Sequence, residues 1–125
     1  MLDDAPPLAF LATRTAAKAR QFYGGLLGLP LVAEDESALV FGLASGQPLR
    51  VQKVLRFAPA HHTVFGWQVG DLAAVMRELN KAGVHFEKYA GMQQDPDGVW
   101  PAPDGTLLAW FKDPDGNLLS LSQPT

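Results

Sequence analysis

An internal repeat is the feature of this 125-residue sequence that most narrows the folds open to it. In the first half, Thr15 is placed to cap a helix, apolar residues follow at helical spacing, and Gly28 can end that helix. Asp71 and Gly83 occupy the same places in the second half. The two caps are 56 residues apart and the two glycines 55. Because two independent landmarks give nearly the same period, we infer a duplicated structural unit.

The repeated unit is predicted to contain one strand, one helix and then three further strands. Apolar runs at 8–12 and 64–69 are typical of buried strands, and they precede helices expected near 16–27 and 72–82. The remaining predicted strands are 30–34, 38–43 and 49–54 in the first unit, and 84–89, 106–112 and 117–122 in the second.

The second unit is the longer of the two. Gly46 and Gly116, in corresponding turns, are 70 residues apart, whereas the helix landmarks are 55 and 56 residues apart. The second unit is therefore about 15 residues longer than the first. The extra length lies between Lys88 and Gly105, a turn-rich stretch predicted to be a long loop or an irregular hairpin. We expect a single domain, 1–125, with module one at about 8–54 and module two at about 61–123.

Composition excludes several classes of protein. Hydrophobic residues make up 47% and charged residues 18%, which favours a packed core over a disordered chain. The absence of cysteine excludes a disulfide scaffold, a thiolate nucleophile and a cysteine zinc site. Ten scattered Lys and Arg residues give no nucleic-acid footprint, and no apolar run suits a signal peptide or a membrane span. We therefore expect a cytoplasmic protein without nucleic-acid or membrane partners.

Two segments carry a resemblance to a known superfamily. The helix 17–29 ends in Phe-Tyr-Gly-Gly-Leu-Leu-Gly-Leu, and 111–119 contains the turn Asp-Pro-Asp-Gly-Asn. Through these two segments the chain resembles the vicinal-oxygen-chelate superfamily of glyoxalases, bleomycin-resistance proteins and extradiol dioxygenases. The resemblance extends along nearly the whole chain. The resemblance implies an α+β fold of two tandem βαβββ modules, with a cupped sheet, helices outside and a ligand in the cup. It also implies a homodimer.

The metal positions of the superfamily enzymes are occupied here by unsuitable residues. Those enzymes bind a divalent metal through His, Gln or Glu, and the register of the resemblance places the four positions at Leu8, Arg50, Val64 and Ser120. Leucine and valine cannot coordinate a metal, and an arginine repels a cation. We therefore expect no metal and no cofactor.

Three alternative functions are consistent with the unsuitable residues at the metal positions. The first is a metal-free small-molecule-binding protein, with resistance by sequestration of the ligand as its role. The alternative is a glyoxalase- or dioxygenase-like lyase or isomerase with a shifted or unusual site. The third is a module kept for assembly or regulation with an empty cup. A two-residue slip in register would bring His62 to the position of Val64, whereas the simpler interpretation places His62 on an exposed loop.

Arg50 is the predicted charged anchor for an anionic ligand, because a guanidinium in a partly apolar cup needs an anionic partner. Two other interpretations remain open at this point. Arg50 can face solvent at a strand edge, or it can pair with an acidic residue of the segment 34–36.

The other predicted ligand-binding residues are Gln68, Trp100 and Ser120. Gln68 is in phase with Val64 and should point into the cup, where Ser120 can add a hydrogen bond. Trp100, in the long loop, is the best aromatic candidate for a lid or pocket wall. Trp67 is out of phase with Val64 and should face the helices, whereas the face of Trp110 is left open.

Overall fold

The computed structural model describes all residues, 1–125, and divides into two compact units. The first unit is Met1–Ala58 and the second is Pro59–Thr125. Each unit contains one four-stranded sheet and one helical region, in the predicted order of strand, helix and three strands. The α+β fold of two βαβββ modules is therefore confirmed.

The first sheet has the spatial order β1-β4-β3-β2, in which β1 is parallel to β4 and the other neighbours are antiparallel. Its helix α1 continues directly into a π-helical segment, where the Leu27 amide donates to the Phe22 carbonyl five residues earlier, at 2.9 Å. The elements are β1 (Ala9–Thr13), α1 (Ala16–Ala19), the π-helical segment (Arg20–Leu26), β2 (Leu31–Glu34), β3 (Ala38–Gly42) and β4 (Pro48–Lys53).

The second sheet repeats this arrangement with the order β5-β8-β7-β6. Again the first strand is parallel to the last, and the remaining pairs are antiparallel. The elements are β5 (Phe65–Gln68), α2 (Leu72–Lys81), β6 (Trp100–Pro101), β7 (Leu107–Lys112) and β8 (Leu118–Gln123). Neither α1 nor α2 has the length and apolar character that a membrane-spanning helix requires.

Each unit has a core between its helix and one face of its sheet. In the first unit the buried rings of Tyr23 and Phe41 lie 5.9 Å apart, which places the π-helical segment against β3. In the second unit the Gln123 side chain accepts a 2.7 Å hydrogen bond from the Leu72 amide at the start of α2. Because strand side chains alternate, Leu119 and Leu121 share the Gln123 face and are buried there.

The helix landmarks of the repeat differ in one respect. Asp71 caps α2, since its carboxylate accepts the Ala74 amide at 3.0 Å. Thr15 occupies the cap position of α1 with an extended backbone but makes no side-chain cap bond. Gly28 and Gly83 have φ angles of 77° and 96°, the left-handed conformation predicted for helix-ending glycines.

Two predictions about the second unit are wrong. The segment 84–89 is not a strand; it makes one isolated bridge, Phe86 to Phe111, on the edge of β7 that faces away from β8. The strand that pairs along this edge is β6, which lies inside the stretch predicted to be a long loop or an irregular hairpin. Trp100 is therefore a strand residue, and its pairing with Leu108 makes it part of the sheet edge and not a loop lid.

Candidate functional site

Each sheet has a second face, which points away from the helix of its own unit and is here called its open face. On the first open face, Phe10, Arg50 and Val40 form one row of cross-strand neighbours. On the second open face, Gly66, Ser120 and Trp110 form the corresponding row. A parallel row on the second face contains Gln68, Ser122, Leu108 and Trp100.

Three aromatic rings, those of Tyr89, Trp100 and Trp110, form a cluster on the second open face, here called the aromatic cluster. The ring centroids of Trp100 and Trp110 are 6.2 Å apart at an angle of 40°, and those of Tyr89 and Trp110 are 6.0 Å apart at 77°. The Trp110 indole Nε1 donates to the Thr63 hydroxyl at 3.1 Å, which fixes the plane of the ring. All three rings retain solvent-exposed surface.

The surroundings of Tyr89 keep its hydroxyl neutral. Burial raises the pKa of Tyr89 above its ordinary value, and the negative charge of Glu87 raises it further. Glu87 also forms a 3.6 Å ion pair with Lys112, the next outward-facing residue of β7 after Trp110. The aromatic cluster is therefore bordered by a neutralised pair of charges and carries no net charge of its own.

A strip of polar side chains lies beside the aromatic cluster. Ser120 is the cross-strand neighbour of Trp110, and Ser122 is that of Leu108. Gly66 lies next to Ser120, and the Ser120 hydroxyl occupies the space that a side chain at Gly66 would fill. Both predicted residues, Gln68 and Ser120, are on this open face, and Trp67 faces the α2 side as predicted, opposite Leu121.

Arg50 lies in the interior of the first sheet, because β4 has neighbours on both sides. A position at a strand edge is therefore wrong. Arg50 takes part in none of the chain's ion pairs. Glu34 binds Lys53 at 2.8 Å and Arg20 at 2.5 Å, and these two hydrogen bonds lower its pKa. The pKa of Asp35 is lowered by hydrogen bonds from Ser37 and Ala38 and also by the charge of Arg50, so the half-buried guanidinium has Asp35 as an electrostatic neighbour but no direct acidic partner.

His62 lies on an exposed loop that precedes β5. The adjoining ladder begins with the Val64 amide donating to the Leu118 carbonyl at 3.0 Å, and it continues with Phe65 opposite Leu119. His62 is therefore outside this ladder. Its neighbour Thr63 is the residue of this loop that hydrogen-bonds Trp110.

Four further residues reach the open faces although the sequence analysis did not select them. Phe10 and Gln52 are on the first face, and Ser122 and Tyr89 are on the second. A spacing of two residues from Leu8, Arg50 or Ser120 could have found the first three. This spacing could not have found Tyr89, because none of the selected residues lies in its segment, 84–89, which was expected to be a separate strand.

The sequence matches the model of a known protein family. The model of the Glyoxalase/Bleomycin resistance protein/Dioxygenase superfamily matches residues 7–121. The chain belongs to this superfamily. No curated protein matches the sequence significantly.

Solved structures of the superfamily have the same fold at low sequence identity. A glyoxalase family protein from Enterococcus faecalis is 21% identical over 98% of this chain and 99% of its own, with a TM-score of 0.75. A genomically encoded fosfomycin resistance protein from Listeria monocytogenes is 13% identical over 98% and 94%, with a TM-score of 0.74. A bleomycin-binding protein, solved with bleomycin, is 20% identical over 96% and 98%, with a TM-score of 0.72. These likenesses show the fold.

The residues at the four expected metal positions of this chain do not suit the divalent metal that enzymes of the superfamily bind. Leu8 and Val64 are exposed apolar side chains, Arg50 is a cation, and Ser120 supplies one neutral hydroxyl. No three His, Asp or Glu side chains of the chain are grouped as a metal site would require. Neither pair of positions, Leu8 and Arg50 in the first unit or Val64 and Ser120 in the second, supplies the imidazole and carboxylate donors that bind divalent ions.

Replacement of Gly66 by alanine tests the close approach of β5 to Ser120. The added methyl group would overlap the Ser120 hydroxyl and lie 2.8 Å from the Ser120 carbonyl oxygen. We expect Gly66→Ala to lower the free energy of unfolding by about 1–3 kcal/mol, measured by urea denaturation. Gly70→Ala is the matched control, because nothing lies within 4 Å of its added group. Equal stability of the two variants would contradict this packing.

Proposed function

We propose that this superfamily member is a metal-free binding protein for a planar aromatic small molecule, which it holds by stacking on the second open face. The observation that supports the proposal is the aromatic cluster on a sheet face that α2 does not cover. A stacked aromatic pair contributes roughly 0.5–1.5 kcal/mol beyond the burial of its area. Sequestration of a toxic aromatic compound, and so resistance to it, is the role that we infer.

The polar strip beside the cluster gives such a ligand an orientation. Ser120 and Ser122 each have a hydroxyl that donates and accepts, and the Gln68 amide does both with separate atoms. Binding sites for small molecules commonly combine mostly apolar walls with a few fixed polar groups of this kind. A planar ligand with hydroxyl or carbonyl substituents suits the strip.

The first open face, considered by itself, supports a second proposal, the binding of an anion at Arg50. The guanidinium is half-buried, forms no direct ion pair, and is flanked in its row by Phe10 and Val40, with Asp35 as its acidic electrostatic neighbour. Apolar neighbours exclude water and strengthen the attraction of the cation for an anion. One charge-assisted hydrogen bond contributes roughly 1.5–3 kcal/mol, equivalent to about one to two decades of affinity.

The stacking proposal is tested with naphthalene-2-sulfonate, a planar aromatic anion. We expect Trp100→Leu to weaken its binding about tenfold, measured by isothermal titration calorimetry, because one ring of the cluster is lost. Trp67→Leu is the matched control, since Trp67 faces α2 and not the cluster. Unchanged affinity in Trp100→Leu, with circular dichroism of the folded protein, would exclude the cluster as the binding surface.

The anion proposal for the first open face is tested at Arg50 with benzoate and with neutral benzyl alcohol. We expect Arg50→Ala to weaken benzoate binding by about one to two decades and Arg50→Lys by less, with little effect on benzyl alcohol. Arg56→Ala removes the same charge from an exposed loop and serves as the control. If Arg50→Ala and Arg50→Lys both bind benzoate like the parent, Arg50 does not contact the anion.

Native mass spectrometry of gently purified protein tests metal content and assembly together. We expect no stoichiometric transition metal, and we expect a homodimer, because the edge strand β2 is exposed along its length and includes apolar Leu31 and Val32. A monomer by light scattering at micromolar concentration would count against the dimer. One tightly held zinc, nickel or iron per chain that is lost in His62→Ala would favour the enzymatic alternative.

A further inference from the structure

The loop 90–99 separates two members of the aromatic cluster, Tyr89 and Trp100, and returns the chain to the edge of β7. Its first arm, the segment 87–89 that leads into it, is joined to β7 by the Glu87 amide, which donates to the Trp110 carbonyl at 2.8 Å. Its second arm becomes β6, where Trp100 pairs with Leu108. The positions of the two rings against Trp110 therefore depend on what holds the two arms together.

The side chain of Gln94 makes that connection. Its Oε1 accepts the Tyr89 amide at 2.8 Å, and its Nε2 donates to the Glu87 carbonyl at 3.0 Å and the Gly98 carbonyl at 2.7 Å. One carboxamide thus bonds both arms of the loop, in place of backbone pairing between them. Only an amide side chain both accepts one hydrogen bond and donates two others from neighbouring atoms in this way.

The second arm is itself fixed by Asp95 and Gly98. The Asp95 carboxylate accepts the amides of Asp97 and Val99, each at 2.9 Å. Gly98 is buried with a φ of 103°, and a side chain there would meet the Cβ of Phe86 at 3.3 Å. This turn delivers the Gly98 carbonyl to Gln94 in a conformation that other residues rarely adopt.

We propose that Gln94 is a positioning residue of the binding site: it holds Tyr89 and Trp100 against Trp110 without contributing a ring to the cluster. The proposal rests on the proposed function, because the cluster is the surface inferred to stack the ligand. The function of Gln94 is to order the rings before the ligand arrives, which reduces the conformational entropy lost on binding.

The test compares Gln94→Met and Gln94→Glu with the same changes at Gln93, an exposed neighbour without these hydrogen bonds. Gln94→Met removes all three bonds while keeping the length of the side chain. Near-UV circular dichroism of the ligand-free protein reports the order of the rings. Hydrogen exchange reports the Tyr89 amide. We expect Gln94→Met to lose near-UV intensity, to exchange the Tyr89 amide faster, and to bind naphthalene-2-sulfonate about tenfold more weakly.

Gln94→Glu adds a readout that a general loss of stability would not produce. At neutral pH the introduced carboxylate would face the Glu87 and Gly98 carbonyl oxygens, to which it cannot donate. Protonation restores one O–H donor, so we expect the near-UV signal to recover as the pH falls, with no such recovery in Gln93→Glu. This variant also keeps the proposal testable if Gln94→Met fails to fold.

The outcomes separate this proposal from the stacking function. If Gln94→Met and Gln94→Glu keep the near-UV signal, the Tyr89 exchange rate and the probe affinity of the parent, Gln94 is not a positioning residue. If the parent does not bind naphthalene-2-sulfonate but the Gln94 variants lose ring order as expected, the positioning role stands. In that case the stacking of this probe is what fails.

Discussion

One helical region per unit has to cover a four-stranded sheet, and it covers only one of the two faces. The buried residues of β3 and β4, such as Phe41 and Leu49, lie on the helix face, whereas Arg50 and Val40 lie on the other. The stability of each unit therefore depends on alternate residues of its strands. The intervening residues are free to vary with function, and every predicted strand residue of the site lies among them.

The separation of the two faces explains how residues on the open faces can differ without loss of the fold. Ser120 lies between buried Leu119 and Leu121 along β8, so its side chain adds nothing to the α2 core. Leu8 and Val64 are exposed, and apolar groups there leave no buried polar atom unpaired. Such differences change the chemistry of each open face, which is apolar and cationic at Leu8 and Arg50 in the first unit and apolar and hydroxylic at Val64 and Ser120 in the second.

The period of the helices was enough to predict the order of strand, helix and three strands in each unit, and the alternation of the strand was enough to predict the faces of Gln68 and Trp67. Local sequence could not predict the edge of β7. The segment 84–89 has the composition of a strand, yet it makes a single bridge because β6 occupies the rest of the edge. The Gln94 side chain hydrogen-bonds both segments, and such side-chain bonds have no periodic signal in the sequence.

The two open faces differ in the kind of affinity that each can provide. Stacking on the aromatic cluster is short-ranged and depends on ring geometry, so it benefits from rigid supports such as the Thr63 bond to Trp110 and the Gln94 bonds to the loop. The charge of Arg50 acts over a longer distance and is weakened by salt. Salt should therefore diminish recognition of an anionic group while leaving stacking largely intact, because stacking arises mainly from area and dispersion.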